Sequence, residues 1–214
     1  MLRLSFGFTL LCIRAAMVGS MTADVSAIEW TQYRSPHHDG ISRELIRTNW
    51  AQEPPRQIWK VPLKPALSSF SVAGGRAFTQ VRRPFGGRDE EFCIALNAET
   101  GKELWAVPLG IAFYPHGGVG FDDGPRSTPS VDGDRVYVLT SYLRMACLEA
   151  ANGQIVWSKY LVSEYGAKVI EWQNAASPLI VGDLIFLNAM SPISARWHCA
   201  KPTAGSLGCP RPIR

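Results

Sequence analysis

Eleven residues, Ala95 to Trp105 (A-L-N-A-E-T-G-K-E-L-W), return as Cys147 to Trp157 (C-L-E-A-A-N-G-Q-I-V-W). Leu96 matches Leu148, Ala98 matches Ala150, Gly101 matches Gly153 and Trp105 matches Trp157, at a constant offset of 52 residues. Self-similarity at this spacing is the mark of a repeat architecture. The end of the unit recurs once more upstream. Trp59-Lys60-Val61-Pro62-Leu63 mirrors Trp105-Ala106-Val107-Pro108-Leu109, at an offset of 46. Trp59, Trp105 and Trp157 therefore mark the ends of three successive units.

A second pattern repeats inside the units. Ser71–Thr79 (S-V-A-G-G-R-A-F-T), Ser130–Val138 (S-V-D-G-D-R-V-Y-V) and Leu179–Leu187 (L-I-V-G-D-L-I-F-L) each carry apolar residues, a Gly-containing turn and an alternating run. This is a β-hairpin signature. A second hairpin closes at Thr100-Gly101 and Asn152-Gly153. One unit is then four strands, in the second unit roughly Thr128–Asp132, Arg135–Ser141, Arg144–Ala150 and Gln154–Tyr160. Gln57–Leu63 reads as a further short strand. Four antiparallel strands in a repeat of this length make a β-propeller blade. A helical solenoid does not suit the period-two alternation of Val, Ile, Tyr and Phe. The expected fold is all-β, a partial propeller of about two and a half four-stranded antiparallel blades.

The A-x-x-T-G-x-x-x-W ending, the S-V-D-G-D-R-V-Y-V hairpin, the opening W-T-Q-Y-R-S-P and the run Gly124–Asp134 together resemble the quinoprotein-type (PQQ-like) β-propeller repeat family, in its exported, non-dehydrogenase form. The likeness spans about residues 28–190. Asn97 and Glu149 stand where that family usually has Asp. The resemblance implies a ring of about eight blades. It gives Trp59, Trp105 and Trp157, with Gly101 and Gly153, a structural role. A large ring on the outermost strand fills the wedge between blades and offers its N–H to a carbonyl. It also implies what a cofactor would need. PQQ enzymes of this fold use metal-binding carboxylates and amides, and commonly two adjacent cysteines. This chain has no Cys-Cys step, so neither PQQ nor calcium is expected.

Composition bounds the rest. Lys plus Arg is 22 and Asp plus Glu 18, and the net +4 resides in Arg196, Lys201, Arg211 and Arg214 of a tail without acids. The remainder balances, so no basic surface argues for nucleic acid. Residues 1–27 read as an export signal. Arg3 precedes an apolar run from Leu4 to Ile13, and Val25-Ser26-Ala27 supplies small residues for cleavage. The run is too short to span a bilayer comfortably, so no transmembrane span is expected in the mature chain. The five Cys are scattered without a C-x-x-C pair, which argues against a zinc or redox site. Cys93 and Cys147 fall in equivalent strands, either paired or free and buried. The chain divides into the signal, a lead-in segment over 28–56, the propeller over 57–190 and a non-repeat tail over 191–214. Pro192–Arg214 lacks alternation and supplies no third A-x-x-T-G-x-x-x-W, so an incomplete ring, unstable alone, is expected.

Strands alternate in direction, so the connections sort to two faces. With the strands of a blade lettered A to D, the short A–B and C–D turns share one face. The B–C and D–A connections share the other, and long loops are expected there at 82–90, 111–126 and 162–175. Loops on rigid scaffolds carry function, which makes Arg82, Arg83, His116, Asp122, Asp123, Arg126 and Trp172 the candidate binding residues. Asp122-Asp123 is considered for calcium, and His37-His38-Asp39 for a metal, but neither has a spaced ligand set. No catalytic residue stands out. The expected function is a non-catalytic binding or scaffold module of the cell envelope or periplasm, with a protein or carbohydrate partner. A fragment of a PQQ-dependent oxidoreductase and an inactive truncated chain are the alternatives.

Overall fold

Alternation in the sequence becomes two-sided burial in the structure. The structure, a computed structural model, describes residues 29–115 and 123–188 and the backbone of residues 196–200. Strands β1 (Ser71–Ala73), β2 (Arg76–Phe85), β3 (Arg88–Asn97) and β4 (Glu103–Ile111) form one antiparallel sheet in sequence order. Strands β5 (Ser130–Asp132), β6 (Arg135–Leu139), β7 (Arg144–Glu149) and β8 (Ile155–Tyr160) form a second sheet in the same order. These are two complete blades. A third sheet holds β9 (Leu179–Val181), β10 (Leu184–Asn188) and β11 (Arg196–Ala200), with β10 in the middle.

Each blade is apolar on both faces because it is sandwiched. Along β3, Phe92, Ile94 and Leu96 face the lead-in residues Trp59, Val61 and Phe70. Cys93 and Ala95 between them face the second blade, where Val136, Val138, Ala146 and Leu148 meet them. Along β6 and β7, Tyr137, Leu139, Met145 and Cys147 turn the other way and pack on Ile185 and Leu187 of the third sheet. A period of two thus builds alternating interblade cores.

The tryptophans join these layers. Trp105 Nε1 donates to the Ala150 carbonyl of the next blade at 3.1 Å. Its ring lies over Gly153, where an added Cβ would meet ring carbons at 2.8 Å. Trp59 repeats the contact one unit earlier, donating to Ala98 O at 2.8 Å and covering Gly101. Both glycines also adopt left-handed φ, 70° and 77°. Trp157 packs against Tyr137 with centroids 6.3 Å apart, as Trp105 packs against Phe78 at 5.8 Å. The acceptor turn that the repeat would offer Trp157 lies outside the described residues.

Four expectations need correction. Arg82–Glu90 is not a long loop. β2 and β3 continue to a two-residue turn at Gly86-Gly87, both with positive φ (59° and 82°). A Gly-Gly pair supplies the type I′ turn that a twisted hairpin requires. Gln57–Leu63 is not a strand of any sheet. Having no preceding blade to pair with among the described residues, it packs on the first blade through Trp59 and Val61. Within 162–175, the short helix α1 (Leu161–Tyr165) takes up the start of the loop and ends at left-handed Gly166. Further on, β11 adds a strand in the tail, where the sequence shows no alternation, by pairing Arg196–Ala200 with β10. An open edge offers main-chain N–H and C=O groups to whatever segment follows, whatever its side-chain pattern.

The two ends of the blades differ as expected for the D–A loops. At one end the A–B and C–D turns touch, Ala98 N donating to Gly75 O and Ala150 N to Asp134 O, each at 2.9 Å. At the other end Ala112 N donates to Asp89 O and Asn174 N to Ser141 O, joining D–A connections to the start of β3 and to the β6–β7 turn.

The docking geometry predicts unequal glycine substitutions. Gly133→Ala meets open space and adds only left-handed strain, about 1–2 kcal/mol. Gly153→Ala must also displace the Trp105 ring and is expected to cost at least about 3 kcal/mol. Urea midpoints of the two variants check the order.

Candidate functional site

Beneath the D–A loops, at the boundary of the first two blades, polar side chains are buried together. Glu91 sits on β3 beside a bulge with no solvent exposure. Its carboxylate accepts the Tyr114 hydroxyl at 2.6 Å and the Ser141 backbone N–H at 3.0 Å. Tyr114 belongs to the connection after β4, and Ser141 to the turn between β6 and β7. Burial pushes the Glu91 carboxyl above its ordinary value, against the lowering effect of Ser141, Tyr114 and the Arg126 charge. Burial, then the negative charge of Glu91, also raise Tyr114 well above the usual phenol range, so Tyr114 remains the donor.

Arg126 extends the cluster. Its Nη2 lies 2.9 Å from both oxygens of buried Asp123. Nη1 donates to the Trp172 carbonyl at 3.1 Å, in the next D–A loop. The guanidinium stacks over Tyr114, 5.6 Å from the ring centroid, a favourable cation–π geometry. One planar group thus holds two loops and a ring, which suits arginine better than lysine. Gly124 next to the pair is explained by a close approach. A Cβ there would fall 2.6 Å from Pro65 O, where Leu67 N reaches Pro125 O at 2.9 Å. Deeper in, Gln80 of β2 donates to Ser127 O at 2.6 Å, tying the first blade to the second.

These contacts hold a surface in place. Phe113 is 57% exposed and Trp172 56% exposed. The Phe113 carbonyl accepts the Tyr142 hydroxyl at 2.6 Å, and the Trp172 carbonyl is fixed by Arg126. Ile111 at the end of β4, Val162 of α1 and Ile170 are also exposed. Aromatic and aliphatic side chains presented on a fixed backbone can dock a partner and offer no nucleophile or base.

Of the residues singled out in the sequence, the structure brings Asp123, Arg126 and Trp172 together. Arg82 and Arg83 instead lie on β2, paired with Asp89 and Glu103 of their own blade. His116 and Asp122 lie outside the described residues. Glu91, Tyr114 and Phe113 carry no signal of this kind in the sequence. Each is a single residue in an ordinary strand or loop context, and only the fold joins them.

Asp123 Oδ1 takes the Gly124 N–H at 2.8 Å as well as Arg126, so a calcium ion would have to displace the guanidinium. Among the described residues no three His, Cys, Asp or Glu side chains converge. Cys93 and Cys147 are free and buried. Burial pushes Cys147 up to about 12 and Cys93 higher still, which leaves both as unreactive thiols. No helix among the described residues is long and apolar enough to cross a membrane.

The raised Glu91 value fixes a pH dependence. The folded protein holds the Glu91 proton at pH values where the unfolded chain has released it. Stability therefore falls as pH rises from about 4.5 through the raised value, and is recovered below that window. Glu91→Gln is expected to flatten this slope and to be at least as stable as wild type at neutral pH. Urea midpoints between pH 4 and pH 8, taken at about one-unit steps, check it.

No curated protein matches the chain. Among solved structures, the quinohemoprotein alcohol dehydrogenase from Comamonas testosteroni matches with a TM-score of 0.57 at 14% identity, over 81% of this chain and 26% of that one. BamB from Moraxella catarrhalis matches at 22% identity with a TM-score of 0.35, over 53% of this chain and 27% of that one. The quinohemoprotein alcohol dehydrogenase ADHIIG from Pseudomonas putida HK5 matches at 15% identity with a TM-score of 0.46, over 68% of this chain and 20% of that one. The first of these establishes a shared fold, and the chain spans about a quarter of the length of these structures. A family model described as outer membrane protein assembly factor BamB matches residues 51–195, more than half of the chain. With its four-stranded blades and tryptophan-ended repeats, the chain belongs to this family of PQQ-like β-propeller proteins.

Proposed function

We propose that the protein is a non-catalytic propeller scaffold of the cell envelope, exported to the periplasm, that binds a protein partner through its D–A loops. The observation that carries this reading is the exposed pair Phe113 and Trp172, whose backbone carbonyls are held by the half-buried side chains of Tyr142 and Arg126. A preorganised apolar surface binds with little ordering cost, and aromatic residues dominate such contacts. The family's description as an outer membrane assembly factor supports both the compartment and a protein partner. Stacked sugars would also use aromatic rings, but the exposed aliphatic Ile111 and Ile170, each two residues from one of the rings in sequence, favour a protein. The oxidoreductase alternative draws on fold likeness alone. Asp123 is committed to Arg126, and fold does not carry activity with it.

A photo-crosslinking amino acid at position 113 or 172 tests the reading in intact cells. One discrete envelope protein is expected as the adduct, with none from the same probe at Glu99 on the opposite face. Equal labelling from both faces would remove the face assignment. Purified protein given PQQ and calcium is expected to show no change in cofactor absorbance, and stoichiometric uptake would instead favour the oxidoreductase.

A further inference from the structure

The opening motif W-T-Q-Y-R-S-P-H-H-D-G precedes the repeats in the sequence, yet it is built into the blades. Trp30 and Val72 of β1 exchange both main-chain bonds, Trp30 N to Val72 O at 2.9 Å and Val72 N to Trp30 O at 2.8 Å. The next residue reaches the second blade, Thr31 O accepting Val131 N of β5 at 2.7 Å. Just before them, the Glu29 side chain accepts Gly74 N at 2.8 Å. β1 and β5 are the first strands of their sheets, and each has its other edge filled by the second strand. One extended segment therefore covers the free edges of two first strands, on the side of the blades that faces the ring axis.

Its direction follows from the pairing. The bridge at Trp30 is antiparallel to β1, and Glu29 lies by the A–B turn at Gly74. The chain then runs towards the opposite, D–A end. There it folds into a tight turn. Ser35 N donates to Gln32 O, His38 N to Ser35 O and Gly40 N to Arg34 O. The Ser35 hydroxyl donates to Asp39 Oδ1 at 3.1 Å. Gln32 and Ser35 are buried at 8% and 1% exposure. Arg34, Ser35 and His38 hold left-handed φ of 62°, 76° and 59°. Such backbone persists in non-glycine residues only where the surroundings over-determine it.

We infer that residues 29–40 are an inner strap: one segment adds to the first strands of two blades at once, fastens them together and occupies their axial side. The segment is thus part of the propeller and not a linker before it. Two exposed edges that would otherwise invite strand pairing are closed in cis. The axial side, the concave feature that a ring of blades offers to small ligands, is taken here by the protein's own backbone. That leaves the loops, and not the axis, as the surface open to partners.

Amide hydrogen exchange in the full chain tests this. Val72 and Val131 are expected to exchange slower than the exposed Leu45 and Ile46 by on the order of 100-fold or more. Trp30→Pro removes a donor and disrupts the segment. It is expected to speed Val72 and Val131 together by about 10-fold or more while Cys93 and Cys147 keep their protection. Val131 exchanging as fast as Leu45 in the wild type, or unchanged in the variant, would overturn the strap. If Trp30→Pro does not fold, Glu29→Ala replaces it. Faster exchange at Gly74, Val72 and Val131 supports the strap, and unchanged rates contradict it.

Discussion

A tryptophan N–H on one blade reaching a turn carbonyl on the next is the contact on which this architecture depends. A four-stranded blade is apolar on both faces and cannot bury itself alone. Stacking supplies the burial, but two flat apolar faces could slide. The indole fixes the register. Trp105 donates to Ala150 O and covers Gly153, and Trp59 does the same at Ala98 and Gly101. The glycine is needed twice over, for its left-handed φ and for the absence of a Cβ beneath the ring. That is why Gly and Trp recur together in the sequence.

Polar groups do the corresponding work at the opposite end. Glu91, Tyr114, Asp123 and Arg126 tie two D–A connections to β3 and to the β6–β7 turn. Burying a carboxylate is costly, and burial raises Glu91 in spite of its hydrogen bonds. A cluster of this kind contributes less to net stability than apolar packing would. It does fix directions, because each donor and acceptor has one partner geometry. Phe113 and Trp172 gain defined positions from it while remaining exposed.

The repeat made most of the fold legible in the sequence. Blade number, strand order and the strands from Arg135 to Tyr160 follow from an offset of 52 residues and from alternation. The failures have separate physical causes. Polar residues at Arg82, Arg83 and Asp89 look like a loop, but a hairpin that extends beyond the core needs no apolar face, and Gly86-Gly87 lets it turn tightly. Trp30-Thr31 lies beyond the repeat, and its pairing is between main chains, which leave no side-chain signature. The strand Arg196–Ala200 likewise pairs through its main chain, without an alternating side-chain pattern. Of the site, Asp123, Arg126 and Trp172 were found because loop position and residue type sufficed. Glu91 was not, since an acid within the run Glu90–Cys93 carries no sign that it points inward.

A double-mutant cycle on Trp105→Phe and Gly153→Ala tests the docking claim most directly. The phenyl ring of the first variant no longer reaches Ala150 O, and it relieves part of the clash created by the second. The account predicts that the two losses are not additive, with a coupling of about 1 kcal/mol or more in urea unfolding. Additivity within about 0.5 kcal/mol would mean that Trp105 and Gly153 act independently, and that the blades are held in register by something else.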